Sequence, residues 1–186
     1  MRSKKQLPGI SSLIIASLVM LFGAQPAHAM DPISIENVQA AMRTLSFLES
    51  LPKAGPIVVG VVYPSDIPSA QAVAEATAEL IGTMRGPNSR ALQPLVIAAN
   101  ALAQFQGHLD VLFLMVGASR YSAIILDSIR RHHLVSISDD PFCADAQCCV
   151  ITVHTGQRVE ISLNTNLAEA VGARFSLVFT MVVKRQ

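Results

Sequence analysis

The chain has 186 residues and a formal net charge of +1, with 51% hydrophobic and 5% aromatic residues and no Trp. A balance this close to neutral, with the basic residues scattered, excludes a binder of nucleic acid or anionic lipid, which needs a clear basic excess. The low aromatic content also argues against a sugar-stacking surface.

The first element is a leader. Arg2, Lys4 and Lys5 give a positive start, residues 10–22 are almost wholly apolar, and Ala27-His28-Ala29 supplies a small-x-small cleavage pattern. This is the three-part form of a secretory signal peptide. Its apolar run of about thirteen residues falls short of the roughly 20 that span a bilayer. The expectation is a signal peptide over residues 1–29 and one exported domain over residues 30–186, located in the periplasm. No later stretch invites direct membrane insertion after cleavage, and no lipobox cysteine precedes the cut. Loss of the three leader cations leaves the mature chain slightly acidic, and its length suits a single domain with a real core.

Residues 34–51 place Ile35, Val38, Met42, Leu45 and Leu48 near helical spacing, and Pro52, Gly55 and Pro56 stop the helix. Residues 57–63, IVVGVVY, form a continuous β-branched run, the pattern of a strand covered on both faces. Pro68 suits the first turn of a second helix. Val73, Thr77, Leu80, Ile81 and Met84 line one side of it, and Gly82, Gly86 and Pro87 break it. Residues 95–99 and 109–116 read as a short and a longer buried strand. Gly117-Ala118-Ser119 leads into a helix with Tyr121, Ile124, Ile125 and Ile129 on one side. Arg130, Arg131, His132 and His133 close that helix, where cations suit its dipole. Residues 134–138 form another strand. Residues 149–154 and 158–164 form two more, joined by the tight turn Thr155-Gly156-Gln157. Thr165 or Asn166 caps a short helix ending at Gly172, and residues 175–183 fit either period.

Strands alternating with helices imply a single-lobed α/β fold: a mostly parallel sheet flanked by helices, with a C-terminal antiparallel hairpin.

All three cysteines, Cys143, Cys148 and Cys149, lie in SDDPFCADAQCCV. An exported chain favours a disulfide, and an odd count leaves one thiol over. A zinc site would need further ligands at recognised spacing, which His132, His133 and His154 do not supply. A redox C-x-x-C is absent. Cys148 sits at the loop end, well placed to curl back, so Cys143–Cys148 is favoured, with Cys143–Cys149 next. A loop this short gains about 2 kcal/mol at most by chain entropy.

A sheet of this kind invites a ligand at the C-terminal strand ends. Residues 63–66, 117–121 and 138–140 would gather there. Ser119 and Arg120 at a helix start could hold an anion, although an N-cap and a solvated side chain explain them as well. Asp139 and Asp140 could form an acid/base pair, but a loop pair receiving backbone amides fits better. No G-x-S-x-G or H-E-x-x-H motif occurs, and no nucleophile stands beside a base. The expectation is a protein that is not an enzyme and has no cofactor.

LDVLFL and LVSISDD, a loop, a strand and then GQRVEISLNTNLAEAVGARFS resemble the YfiR family of periplasmic regulators. Arg158, Glu160, Ile161, Asn164, Ala168, Ala170 and Gly172 stand in for that family's strand-and-turn pattern. Upstream, AMRTLSFLESLP and IVVGVVY are similar to its opening helix and first strand, although the helix's usual aromatics are thinned to Phe47. The resemblance implies a regulator that binds the periplasmic sensor domain of an inner-membrane diguanylate cyclase, or a similar sensor, and holds it inactive. Cyclic-di-GMP and biofilm formation would rise when that grip is lost. The matched residues have structural roles in the family. Contact residues do not carry over, and a homodimer remains open. The alternative reading is a small periplasmic ligand-binding protein related to solute-binding domains. Length counts against it, because such proteins close two lobes over a ligand.

Overall fold

The computed structural model describes residues 34–185; the leader expected over residues 1–29 lies outside them. The chain runs α1 (Ile35–Thr44), β1 (Ile57–Tyr63), α2 (Ala70–Thr83), β2 (Leu92–Ala98), β3 (Val111–Leu114), α3 (Ser122–His132) and β4 (Val135–Ser138). It continues through α4 (Phe142–Asp145), β5 (Ile151–Thr155), β6 (Val159–Leu163), α5 (Thr165–Ala170), α6 (Leu177–Val182) and β7 (Lys184–Arg185). The strands form one seven-stranded sheet in the order β2-β1-β3-β4-β5-β6-β7. Every neighbouring pair is parallel except the β5–β6 hairpin.

The order explains the burial. β1 and β3 lie inside the sheet, and Val59, Val61, Val62 and all of Val111–Leu114 are fully covered. Replacing Phe113, at the centre of this core, with Ala would cost about 3–5 kcal/mol. Pro94 lies within a strand, which is tolerated because β2 is an edge and its missing N–H breaks no inner ladder. The chain steps from β1 to β2 in one direction and from β3 to β4 in the other. Right-handed crossovers then put α2 and α3 on opposite faces.

Several local expectations are corrected. The first α-helix ends at Thr44 and tightens into a 3₁₀ turn over Leu45–Phe47, rather than running to residue 51. α2 continues through Gly82, and its buried side is Ala70, Ala74, Thr77, Ala78 and Ile81. Small residues bring the helix close to the sheet and leave Val73 and Leu80 at the margin. The strand expected over 109–116 is only Val111–Leu114, although Leu109 and Met115 are buried beyond its ends. A 3₁₀ segment over Ala99–Gln104 and the turn of α4 have no counterpart in the expectation.

The end of the chain is tied back to its start. Glu49 N donates to Arg174 O at 2.7 Å, and Ser176 N donates to Phe47 O at 2.9 Å. Phe179 is buried and stacks on Phe47 and Phe175, with ring centroids 5.1 and 5.2 Å apart. These contacts fix α6 over the 3₁₀ turn that follows α1.

Candidate functional site

The strand order reverses between β1 and β3, so the crevice beyond their C-terminal ends is where such a sheet takes a ligand. The expected loops do meet there. Gly117 adopts φ +84°, a conformation that side chains disfavour, and turns the chain into a 3₁₀ helix over Ala118–Tyr121. Arg120 Nη1 and Nη2 reach Asp66 Oδ2 and Oδ1 at 3.0 and 3.1 Å. The Tyr121 hydroxyl lies 3.1 Å from the same carboxylate and 3.0 Å from Ser65 Oγ. Behind this layer, buried Asp140 receives Gly117 N at 2.9 Å, the Ser119 hydroxyl at 2.8 Å and Phe142 N at 3.0 Å. Ser119 and Asp140 thus come together, and Arg120 joins Asp66. Ser119 and Arg120, the groups expected to greet an anion, are each engaged with a carboxylate of the chain itself.

Asp139 sits apart from this network. Its Oδ2 accepts from Asn37 Nδ2 at 3.1 Å, and Asn37 Oδ1 accepts from the Thr155 hydroxyl. Its other oxygen is buried without a partner. Burial pushes its pKa above the ordinary 3.8, against the opposing pull of the Asn37 hydrogen bond; the neighbouring Asp140 pushes the same way as burial. Asp139 and Asp140 make separate contacts and do not share a proton site.

The cysteine loop folds around α4. Cys143 is bridged to Cys149, with Cα atoms 5.6 Å apart, and Cys148 is a buried thiol. This corrects the favoured Cys143–Cys148 pairing. Gln147 takes φ +52°, which turns the chain before Cys148. Val150 N then donates to Ser136 O at 3.0 Å, which registers the start of β5 against β4. Burial pushes the Cys148 thiol up to about 11. The three sulfurs lie within 4.8 Å of one another, forming the single group of three or more potential metal-ligating residues among the described residues.

The residues carrying the family resemblance have local structural settings. Arg158 and Glu160 are exposed on the β5–β6 hairpin, Arg158 O receives Gly156 N, and Glu160 stands opposite His154. Asn164, rather than Thr165 or Asn166, caps α5, its side chain accepting from Leu167 N at 2.9 Å. Gly172 follows α5 at φ +71°.

Two small clefts open at the opposite, N-terminal ends of the strands. One, of about 150 Å³, is lined by Leu102, Phe105, His108 and Ser128 among others. Its neighbour, of about 280 Å³, shares His108, Leu109 and His132 with it and adds His133. His108 Nε2 lies 2.9 Å from Asp110 Oδ1, while Asp110 Oδ2 accepts from Val58 N at 2.8 Å. Asp110 is thereby held as an anchor for β1.

One feature was missed by sequence reasoning. Leu177, Val178, Met181 and Val182 are 74%, 66%, 73% and 75% exposed. Their spacing puts them on one side of α6, with Phe179 turned into the core. Phe47, itself partly exposed, stacks on Phe179, and the two-residue edge strand β7 follows α6. Four large apolar side chains on a helix this short form a contiguous sticky surface, the kind that marks an interaction site. Spacing could gather these residues on one side of a helix, but not show that this side faces solvent.

No protein-family model matches the chain, and no curated protein matches it.

Proposed function

We propose that the chain is an exported, non-enzymatic regulator that acts by clasping another protein. Its partner, by likeness to the YfiR family, is the periplasmic sensor domain of an inner-membrane diguanylate cyclase. The exposed apolar side of α6 carries this reading. A small surface helix ordinarily turns such residues inward; here Phe179, buried and stacked on Phe47 and Phe175, takes the inward side of α6 and leaves them outward. The occupied crevice at the switch point favours this reading over the small-ligand alternative, because Arg120 already has its carboxylate. Export through the leader puts the protein in the compartment where such a domain projects.

The test is genetic. Deleting the gene in a host with a cyclase of that type raises cyclic-di-GMP several-fold, and a plasmid copy restores the level. Unchanged cyclic-di-GMP in the deletion strain contradicts the reading.

A further inference from the structure

We infer that Cys143, Cys148 and Cys149 form a reactive three-sulfur site in which Cys148 exchanges with Cys149 for the bond to Cys143. Cys148 Sγ lies 3.2 Å from Cys143 Sγ, while Cys143 is already bonded to Cys149. A thiol in contact with one sulfur of a disulfide is the starting arrangement for exchange. Attack on Cys143 is the productive direction, since attack on Cys149 would join adjacent residues in a strained ring.

The step balances without an oxidant. Cys148 loses its proton to solvent, and its thiolate forms a bond to Cys143 Sγ. The Cys143–Cys149 bond breaks, and Cys149 leaves as a thiolate that takes up a proton. One disulfide replaces another, and the free thiol moves by one residue.

The local fold gives the move a consequence. Cys149 immediately precedes Val150, whose N–H joins β5 to β4, whereas Cys148 N donates to Cys143 O at 3.3 Å within the turn after α4. A Cys143–Cys149 bridge therefore clips α4 to the start of β5. A Cys143–Cys148 bridge closes the turn on itself and releases that clip. Phe142, 68% exposed, sits on the segment that would shift. The exchange is slow at neutral pH, because a thiol with a pKa of about 11 is rarely ionised and only the thiolate attacks.

The test uses the oxidised mature protein, without added thiol, held at pH values from 7 to 10 and checked by circular dichroism to remain folded. Acid quenching, denaturation, maleimide labelling, reduction and a second alkylation then allow tandem mass spectrometry to place the first label. Label on Cys148 at pH 7, with label on Cys149 accumulating about tenfold faster per pH unit, is expected. Label confined to Cys148 at every pH overturns the inference. Two variants guard the result. Cys149→Ser should fold and form the Cys143–Cys148 bridge in an oxidising buffer; two free thiols in that folded variant overturn the inference. Cys148→Ser should leave Cys149 unlabelled throughout, and label there would show opening by another route and contradict it.

Discussion

Arg120 and Asp66 meet in a two-pronged ion pair, at 3.0 and 3.1 Å, across the crevice between the loops that follow β1 and β3. Both side chains are about half exposed, so the pair adds little to stability. What it does is occupy the position where a doubly wound sheet takes its ligand.

Arg120→Ala is accordingly expected to cost under about 1 kcal/mol in denaturant unfolding. Neither the wild-type protein nor the variant is expected to gain melting temperature from small anions or periplasmic metabolites. A stabiliser that raises the wild-type melting temperature with concentration would favour the ligand-binding reading.

Asp140 has the opposite character. It is buried and receives two backbone amides and one hydroxyl. Asp140→Ala strips partners from Gly117 N, Ser119 Oγ and Phe142 N together. The Ser119 hydroxyl is buried and the two amides are partly buried; an orphaned buried donor costs about 1–3 kcal/mol, so the variant is expected to lose several kcal/mol or to fail to fold. Ser119→Ala removes one hydroxyl along with its own need for a partner, and is expected to lose about 1 kcal/mol. Chemical denaturation of both variants checks the ranking, and equal losses would contradict it.

Asp139 predicts a pH dependence. Its pKa in the folded chain is raised above 3.8, chiefly by burial. Between the unfolded and folded values, the native state binds more protons than the unfolded chain. Stability from this group is therefore present at low pH and falls as pH rises through that window. Above the folded pKa the cost is constant. Asp139→Asn is expected to remove this slope and to raise stability at pH 7, because it removes a carboxylate charge that burial disfavours. Urea titrations from pH 3 to pH 8 would show it, and parallel wild-type and variant curves would refute it.

The sheet was legible because its code is simple. Five of the seven residues of IVVGVVY are β-branched, and the run folds as β1 over the expected residues, Ile57–Tyr63. The run at 109–116 misled in length because Leu109 and Met115 are buried outside the ladder; an apolar run reports burial, not strand pairing. α2 misled in phase because its contacts with the sheet are made through Ala70, Ala74 and Ala78, which carry little pattern. The Cys143–Cys149 pairing depended on the left-handed turn at Gln147, a backbone choice that no residue there announces. The three loops at the crevice were found from topology. That their polar groups satisfy one another is a matter of distances of about 3 Å, beyond the reach of spacing. The α6 surface was hidden for a different reason. The usual inference turns apolar residues inward, and here Leu177, Val178, Met181 and Val182 face out.

The outward apolar side of α6 is the proposed grip on a partner protein. The direct measurement is calorimetric titration of the mature protein, wild type and Val178→Asp/Met181→Glu, against the isolated periplasmic domain of a membrane cyclase from the same cell. Exposed positions tolerate such changes within about 0.5 kcal/mol, so the variant's melting temperature serves as its folding control. Saturable wild-type binding and at least tenfold weaker binding by the folded variant are expected. Absence of wild-type binding, or equal affinity in the variant, would contradict it.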